Sequence, residues 1–326
     1  MVIHISKDVK SIEDLIELSE MYMEEYRYNI DLYRLAKIRD PLIKLSNAVG
    51  LKSIKSEITK QIIYFLQEFN GRGDDMLHTV IQGPPGVGKT MVGEIVGEIY
   101  HKLGIIKGST AEYKFKIIKR SDLIGQYLGT TAKKTQDVIN SCLGGVMFID
   151  EAYSLGNEGK QDIYAKECID TINQNLTELK GKFLCIIAGY EKDLNNCFFR
   201  YNEGLRRRFP FVYSIEKYDS DELVEIFQKM LKKDDWHVDI SKQSLQEIFK
   251  KNHNAFCNMA GDIETLVFNS KLEHSSRVFC LDDSEKNKIN RDDLIEGIQL
   301  LKKSRDTDSI EEERKREEQI LNTLYV

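Results

Sequence analysis

The hydrophobic positions of this chain change their spacing in a regular order. Short runs rich in apolar and β-branched residues alternate with longer stretches in which an apolar residue recurs every three or four positions. The short runs predict strands, and the longer stretches predict amphipathic helices. The predicted strands are His78–Gln82, Tyr113–Ile118, Val146–Ile149, Phe183–Ala188 and Phe211–Ile215. Because strands and helices alternate, we expect a mostly parallel sheet with helices on both faces.

The segments on either side of this alternation carry helical patterns. Before it, two apolar stripes predict helices, and their members are Leu15, Leu18, Tyr22, Tyr26 and Ile30, then Ile54, Ile58, Ile62, Phe65 and Phe69. After residue 216, four further stripes predict a small all-helical domain. The mixed charges of Glu311–Glu318 predict a solvated helical tail, with a docking role as the alternative. We therefore expect an N-terminal helical segment, an α/β domain, a helical domain and a charged tail, bounded as 1–44, 45–216, 217–303 and 304–326.

The composition is typical of a soluble globular protein. The 326 residues are 41% hydrophobic and 31% charged, a balance found in folded rather than disordered chains. The net charge of −6 argues against a general nucleic-acid coat, which needs a basic surplus. No apolar run approaches the roughly 20 residues that span a bilayer. No signal peptide is visible, so we expect an intracellular protein without a membrane partner.

The cysteines are scattered along the chain. They form no CxxC pair and have no histidine at ligand spacing. Buried reduced thiols are therefore the expected state, and a zinc site is the alternative that the spacing disfavours. The six are Cys142, Cys168, Cys185, Cys197, Cys257 and Cys280.

A glycine-rich loop follows the first predicted strand and precedes a predicted helix. Its residues are Gly83-Pro84-Pro85-Gly86-Val87-Gly88-Lys89-Thr90. The glycines let backbone N–H groups turn toward phosphate oxygens, and the N-terminus of the helix adds partial positive charge. In this P-loop pattern, Lys89 would reach the β- and γ-phosphates of ATP and Thr90 would ligate Mg²⁺. An ordinary Gly-Pro turn is the alternative, and the position between strand and helix argues against it.

Two acids in tandem follow a predicted strand that is apolar at every residue. Asp150 and Glu151 come directly after Val146–Ile149, so both carboxylates lie at the carboxyl end of a buried strand, where open α/β sheets bind ligands. Asp150 would hold Mg²⁺ through water, and Glu151 would orient and deprotonate the attacking water. An isolated Asp-Glu pair would predict only an acidic turn. Sixty residues after a P-loop, the pair predicts ATP hydrolysis.

These segments, in their order along the chain, resemble the AAA+ ATPases. The closest likeness is to the CbbX/CfxQ branch, which includes the red-type Rubisco activases and stage V sporulation protein K. Besides the P-loop, the likeness rests on Asp122-Leu123-Ile124-Gly125-Gln126-Tyr127-Leu128-Gly129-Thr130-Thr131-Ala132, Gly145-Val146-Met147-Phe148-Ile149-Asp150-Glu151-Ala152-Tyr153-Ser154-Leu155, Ile187-Ala188-Gly189-Tyr190 and Gly204-Leu205-Arg206-Arg207-Arg208-Phe209. It covers residues 45–300.

The resemblance implies a fold and an activity. The fold is a P-loop αβα sandwich with a five-stranded sheet in the order 5-1-4-3-2, followed by a helical lid domain. The activity is Mg²⁺-dependent hydrolysis of ATP to ADP and phosphate by a homo-oligomer, expected to be a hexameric ring that acts on a protein client. Rubisco activation is one activity known for the branch, and no residue here identifies Rubisco as the client.

The resemblance also gives roles to residues outside the P-loop. In AAA+ rings, the arginine before the aromatic reaches the γ-phosphate held by the neighbouring subunit; Arg208 has that place, and Arg206 is the next candidate. Such an arginine can raise the rate ~10³-fold or more. Three arginines on a solvated loop are the alternative, which we favour for Arg207. The expected catalytic residues are therefore Glu151, Arg208 and Lys89.

A further segment falls where AAA+ proteins carry the loop that lines the central pore. Tyr127 and Leu128 occupy it, and an aromatic residue there can grip an extended polypeptide with little sequence preference. The alternative is that Tyr127 packs locally beneath its own loop.

Two positions depart from the general AAA+ pattern. The polar sensor-1 residue at the end of the fourth strand is replaced by Gly189-Tyr190, so Tyr190 or nearby Asn195 is the candidate. No sensor-2 arginine is evident near Asp262 in the lid, and Arg277 lies about four turns farther along the predicted helix.

Three functions compete at this point. The leading hypothesis is an ATP-driven ring that pulls a protein client through its pore. The second is a motor or loader that acts on nucleic acid, against which the acidic charge balance weighs. The third is a nucleotide-gated scaffold, in which ATP sets only the assembly state.

Overall fold

The computed structural model describes residues 2–69, 75–108, 112–127, 129–156, 162–202, 204–280 and 286–305. Leu128 of the expected pore loop and the charged run Glu311–Glu318 lie outside these ranges. The chain divides into two compact units, residues 1–84 with 88–216, and residues 85–87 with 217–326. Within the described ranges, no helix combines the length and the apolar character needed to cross a membrane.

The first unit begins with helices and one pair of short strands. In chain order these are β1 (Val2–Ile3), α1 (Ile12–Glu20), β2 (Arg27–Tyr28), α2 (Leu32–Lys37), α3 (Arg39–Asn47) and α4 (Lys52–Leu66). β1 and β2 pair in parallel. A capping box starts α1, because Ser11 accepts the amide of Asp14 and Asp14 accepts the amide of Ser11 in return.

The helix predicted through Tyr22, Tyr26 and Ile30 is wrong in its second half, because α1 ends at Glu20. The Tyr28 hydroxyl accepts the Met23 amide at 3.1 Å and donates to the Met21 carbonyl at 3.0 Å. These two bonds close a loop that replaces further helical turns. Tyr22 and Tyr26 instead line a cavity of about 890 Å³ beside this loop.

The first unit is built around a five-stranded parallel sheet. Its strands are β3 (Thr79–Gln82), β4 (Phe115–Ile118), β5 (Val146–Ile149), β6 (Leu184–Gly189) and β7 (Phe211–Ser214). Their order is β4-β5-β6-β3-β7, which is the expected 5-1-4-3-2 order when the five are numbered within the sheet and counted from β7. Every residue of β5 and β6 is buried, which explains their uninterrupted apolar sequence. The predicted fold class is confirmed.

Helices connect these strands. They are α5 (Lys89–Lys102), α6 (Arg120–Leu123), α7 (Thr131–Ser141), α8 (Ile163–Glu178) and α9 (Glu191–Asp193). Because the five strands are parallel, the sheet has a carboxyl edge, where every strand ends, and an amino edge, where every strand begins. The site described below is at the carboxyl edge.

The second unit is helical, as expected. Its helices are α10 (Ser220–Lys233), α11 (Lys242–Lys251), α12 (Ala260–Val278) and α13, over 291–305. Its described residues also include a parallel pair of two-residue strands, β8 (His237–Val238) and β9 (Lys288–Ile289). Strands this short carry no periodicity, so the hydrophobic pattern could not predict them.

A buried ionic cluster links α12 to the start of α13. The carboxylate of Asp293 accepts bonds from Arg277 at 2.9 and 3.0 Å and lies 2.9 Å from Nδ1 of His274. Burial raises the pKa of Asp293, but the bonds from Arg277, the Asn290 amide and His274 outweigh it and leave that pKa lowered. The guanidinium of Arg277 is therefore engaged inside its own unit.

Candidate functional site

The carboxyl edge of the sheet gathers the predicted site residues. Gly83 follows β3, Asp150 follows β5 and Tyr190 follows β6. The Gly83 amide donates to the Gly189 carbonyl at 3.2 Å. This bond ties the start of the P-loop to the end of the neighbouring strand.

The backbone of the P-loop has the form that its glycines predict. Gly86 has φ of 68° and Gly88 has φ of 83°, both in the left-handed region that glycine adopts at little cost. Gly88 is the N-cap residue of α5, and no side chain caps this end of the helix. The first amides of α5 are thus left for an anionic ligand, and the helix dipole favours one there.

Lys89 opens α5 and bends back over the loop. Its Nζ donates to the carbonyls of Gly83 at 3.0 Å and Pro84 at 2.7 Å. Burial lowers the pKa of Lys89, and the charges of Asp150 and Glu151 oppose that shift. Neutral carbonyls are weaker partners for an ammonium than phosphate oxygens are, so an incoming phosphate would compete well for this side chain.

The two acids lie directly after β5. The Asp150 carboxylate accepts the Glu151 amide at 3.0 Å. Glu151 is exposed and has φ of 50°, a left-handed conformation that costs energy in any residue with a Cβ and that clusters at functional sites. A bond from the Ser154 amide to the Glu151 carbonyl, at 2.7 Å, holds that backbone.

This set of groups fits ATP with magnesium. It offers amides at a helix N-terminus and the ammonium of Lys89 for phosphate oxygens, and the hydroxyl of Thr90 with the carboxylate of Asp150 for a hard cation. Oxygen ligands of this kind are those that Mg²⁺ prefers.

The structure separates the two candidates for sensor 1. Nζ of Lys89 lies 5.2 Å from the ring centroid of Tyr190, whereas Asn195 accepts a hydrogen bond from Arg206. Tyr190 therefore contacts the P-loop lysine and Asn195 does not take that position. Sequence reasoning gave no role to Tyr153, whose ring stacks on Tyr190 with centroids 5.5 Å apart.

Arg208 lies away from these residues, at the amino edge of the sheet. Its Nε donates to the Thr177 hydroxyl at 2.8 Å and its Nη1 donates to the Gly204 carbonyl at 2.6 Å. Thr177 is in the last turn of α8, just before β6 begins. The Arg208 side chain therefore cannot reach Asp150 and Glu151 of its own chain, which lie at the opposite edge of the sheet.

Tyr127 is exposed. Its side chain has 73% of its surface accessible, so the alternative that it packs beneath its own loop is wrong. The loop is closed by the Thr130 hydroxyl, which donates to the Tyr127 carbonyl at 2.7 Å. A Cβ at Gly125 would lie 2.1 Å from that hydroxyl oxygen, so this turn needs a glycine.

Comparisons with known proteins agree with this geometry. The family model of the ATPase family associated with various cellular activities (AAA) matches residues 79–216. The chain is 44% identical over 293 residues to a putative cfxQ-like protein of Acanthamoeba polyphaga mimivirus, covering 88% of this chain and 71% of that protein. It is 35% identical over 196 residues to stage V sporulation protein K of Bacillus subtilis (strain 168), covering 58% of each chain.

Among solved structures, the crystal structure of the FIGL-1 AAA domain in complex with ADP aligns with a TM-score of 0.57 at 20% identity. The alignment covers 78% of this chain and 82% of that chain. At this identity the likeness concerns the fold alone.

Proposed function

This chain belongs to the AAA ATPases, in the branch of the CfxQ-like proteins, and from that premise we propose that it hydrolyses ATP in a ring of identical subunits and uses the energy to remodel a protein client. The observation that carries the proposal is the meeting of Lys89, Asp150 and Glu151 at one edge of the sheet.

Each residue has a part in the proposed reaction. The amides of residues 86–90 and the ammonium of Lys89 hold the phosphates, and Glu151 takes the proton of the attacking water. Thr90, and Asp150 through water, hold Mg²⁺, which when bound neutralises charge on the phosphates. The exposed carboxylate of Glu151 can accept that proton from a water beside the γ-phosphate.

The position of Arg208 supports a ring. An arginine at the amino edge cannot serve the carboxyl edge of its own sheet, but it can serve that edge in a neighbour. A repeated contact of one edge with the opposite edge of the next copy is heterologous, and such contacts close into rings when the rotation allows. We expect six subunits, as in the family that the sequence resembles.

The proposed base is tested by Glu151→Gln. This variant removes the proton acceptor but keeps the shape, so it should bind ATP normally and lose about 10²- to 10⁴-fold in turnover. The matched control is Glu191→Gln, at an exposed glutamate that begins α9 after β6, which should keep wild-type turnover. Steady-state phosphate release and binding of a fluorescent ATP analogue measure the two properties. Normal turnover in Glu151→Gln would remove Glu151 from this role.

The proposed threading is tested by Tyr127→Ala. A permanently unfolded model protein should raise the turnover of the wild-type ring, and it should not raise that of Tyr127→Ala, whose basal turnover stays unchanged. Tyr33→Ala removes a tyrosine with 52% of its surface exposed and serves as the control.

The competing functions give other results with the wild-type protein. Stimulation by single- or double-stranded DNA, and not by the unfolded protein, would support a nucleic-acid motor. Slow turnover that neither probe raises would support a scaffold, and both outcomes contradict the proposal.

A further inference from the structure

The middle of the P-loop is held by residues of the second unit. Residues 85–87 belong to that unit, although the strand before them and the helix after them belong to the first. Two hydrogen bonds contribute to this attachment. The Tyr218 hydroxyl donates to the Val87 carbonyl at 3.0 Å, and the Ala260 amide donates to the Gly86 carbonyl at 3.0 Å. The donors come from the segment just before α10 and from the first turn of α12.

The contact at Gly86 is too close for a side chain. A Cβ there would lie 1.8 Å from the Asn258 carbonyl oxygen and 3.2 Å from the Gly261 nitrogen. Backbone therefore packs directly on backbone, which requires glycine independently of the positive φ at this position. Met259, between these two residues, has φ of 49°, a left-handed conformation that is strained in a residue with a Cβ. The start of α12 thus carries backbone strain where it meets the P-loop.

A buried carboxylate fixes this end of α12. Asp262 is 5% exposed, and its Oδ2 accepts the Asn258 amide at 2.5 Å. The guanidinium of Arg305 in α13 bonds to the same carboxylate. Asp262 therefore holds the backbone that contacts Gly86.

The bond from Tyr218 is also buried. The side chains of Tyr218 and Val87 are both buried, and burial raises the pKa of Tyr218 to about 12. The hydroxyl therefore keeps its proton throughout the neutral range and remains a donor. Without it, the Val87 carbonyl would be left unpaired in a buried place, which costs free energy.

These two bonds set the direction of two amides of the P-loop. A trans peptide is planar, and its C=O and N–H point in opposite directions. The bond at the Gly86 carbonyl therefore turns the Val87 N–H away from α12, and the bond at the Val87 carbonyl turns the Gly88 N–H away from Tyr218. Neither N–H donates to an acceptor among the residues that the structure describes. Both are thus available to a phosphate oxygen.

We propose that the second unit pre-orients the phosphate-binding amides of the P-loop, with Tyr218 as a positioning residue. The inference rests on the proposed binding of ATP by this loop. A loop whose carbonyls are released samples other orientations, and the apparent affinity falls in proportion to the fraction of molecules whose loop is competent. Bound ATP holds the amides itself, so the loss falls on binding and not on turnover at saturation.

The test compares ATP affinity and turnover in the full chain. Tyr218→Phe keeps the ring and removes only the donor; we expect Kd and KM for ATP to rise about tenfold, with kcat close to that of the wild type. The matched control is Tyr28→Phe, which removes a hydroxyl bond of the same length, 3.0 Å, to the Met21 carbonyl, and should leave Kd unchanged. Fluorescent-nucleotide binding and steady-state phosphate release measure these quantities.

Asp262 provides a second, independent variant. Asp262→Ala releases the Asn258 amide and should also raise Kd for ATP, by about tenfold. Asp262→Asn keeps an oxygen that can accept this amide, so it should recover most of the lost affinity. Arg305→Gln removes the charged partner but keeps the acceptor, and its Kd should stay near the wild-type value. Equal losses of affinity in Asp262→Ala and Asp262→Asn would contradict the inference.

A merely structural role gives a different set of results. It would lower the midpoint of thermal unfolding of Tyr218→Phe and leave Kd unchanged at a temperature where the variant is fully folded. That result would overturn the inference, as would a fall in kcat at saturating ATP with an unchanged KM.

Failure of the proposed function is distinguishable from failure of the inference. Retained ATP binding in Lys89→Ala would reject this loop as the ATP site, and the inference with it. Loss of ATP binding in Lys89→Ala together with a normal Kd in Tyr218→Phe would reject the inference alone.

Discussion

The two edges of the central sheet both carry charged and titratable groups, but they hold them in different ways. At the carboxyl edge, the Lys89 ammonium is bonded to two neutral carbonyls and Glu151 is exposed. At the amino edge, Arg208 is bonded to the hydroxyl of Thr177 and to a loop carbonyl, beside the buried ring of His78.

The difference shows where a ligand can enter. Groups at the carboxyl edge have partners that a phosphate can displace, because charged acceptors are stronger than neutral ones. His78, in contrast, has both ring nitrogens engaged: Nδ1 accepts the Cys185 amide at 3.0 Å and Nε2 lies 3.3 Å from the Leu176 carbonyl. His78 at the amino edge therefore makes only contacts within its own subunit. Arg208, at the same edge, has a proposed catalytic role in a neighbouring subunit.

The largest effect should follow from a change at the carboxyl edge. Lys89→Ala removes the ammonium that binds the phosphates, so we expect ATP binding to be lost and kcat/KM to fall by about 10³-fold or more. The control Lys192→Ala removes an exposed lysine from α9 and should leave both unchanged. Fluorescent-nucleotide binding and phosphate release measure them. Retained ATP binding in Lys89→Ala would show that the phosphates are held elsewhere.

The corresponding change at the amino edge should spare binding. Arg208→Ala should lower kcat by about 10³-fold and leave the affinity for ATP near the wild-type value, because the arginine acts on a neighbour's γ-phosphate during turnover. Thr177→Val removes the hydroxyl that holds Arg208 but keeps the guanidinium, so it should cost far less. Equal kcat losses in the two variants would mean that Arg208 acts only as a structural tether.

The smallest effect should be a pH dependence of stability from His78. Burial lowers its pKa to about 4, and the charge of Arg208 adds to that shift. Below the ordinary pKa of about 6.5 the unfolded chain binds a proton that the folded chain refuses, so stability falls as the pH drops from 6.5 toward 4. The contribution is about 3 kcal/mol over that interval.

Urea unfolding at several pH values measures this slope, with His78→Gln as the comparison. The glutamine keeps a donor and an acceptor but does not titrate, so its stability should change less over the same interval. Identical slopes in the two proteins would assign the pH dependence to other groups.

The sequence could predict most of the sheet and the P-loop because both depend on local patterns. β5 is buried at every residue, so its four consecutive apolar residues were enough to predict a buried strand. The P-loop needs glycine at positive φ, a lysine and a hydroxyl at fixed spacing, and the sequence shows all three residue types at that spacing. The same holds for Asp150, which follows a buried strand directly.

Features that depend on distant contacts could not be predicted. The stripe through Tyr22 continues the helical spacing, but the Tyr28 hydroxyl closes a loop there instead. Gly189 looked like the loss of a polar sensor, but a Cβ there would lie 2.8 Å from the Tyr153 ring and 3.1 Å from Leu194, so the close approach of distant side chains explains the glycine. The two edges themselves become evident only once the strands are known to be parallel.

The most direct test of the shared site mixes two inactive proteins. Rings co-assembled from equal amounts of Glu151→Gln and Arg208→Ala contain pairs in which an intact Glu151 faces an intact Arg208. A site is complete only when an Arg208→Ala subunit supplies Glu151 and the neighbouring Glu151→Gln subunit supplies Arg208. With random assembly through one heterologous contact, this arrangement occurs at about a quarter of the sites. We predict that the mixed rings recover about a quarter of wild-type ATP turnover. Turnover that stays at the mean of the two parent variants would contradict a site built from opposite edges of neighbouring subunits.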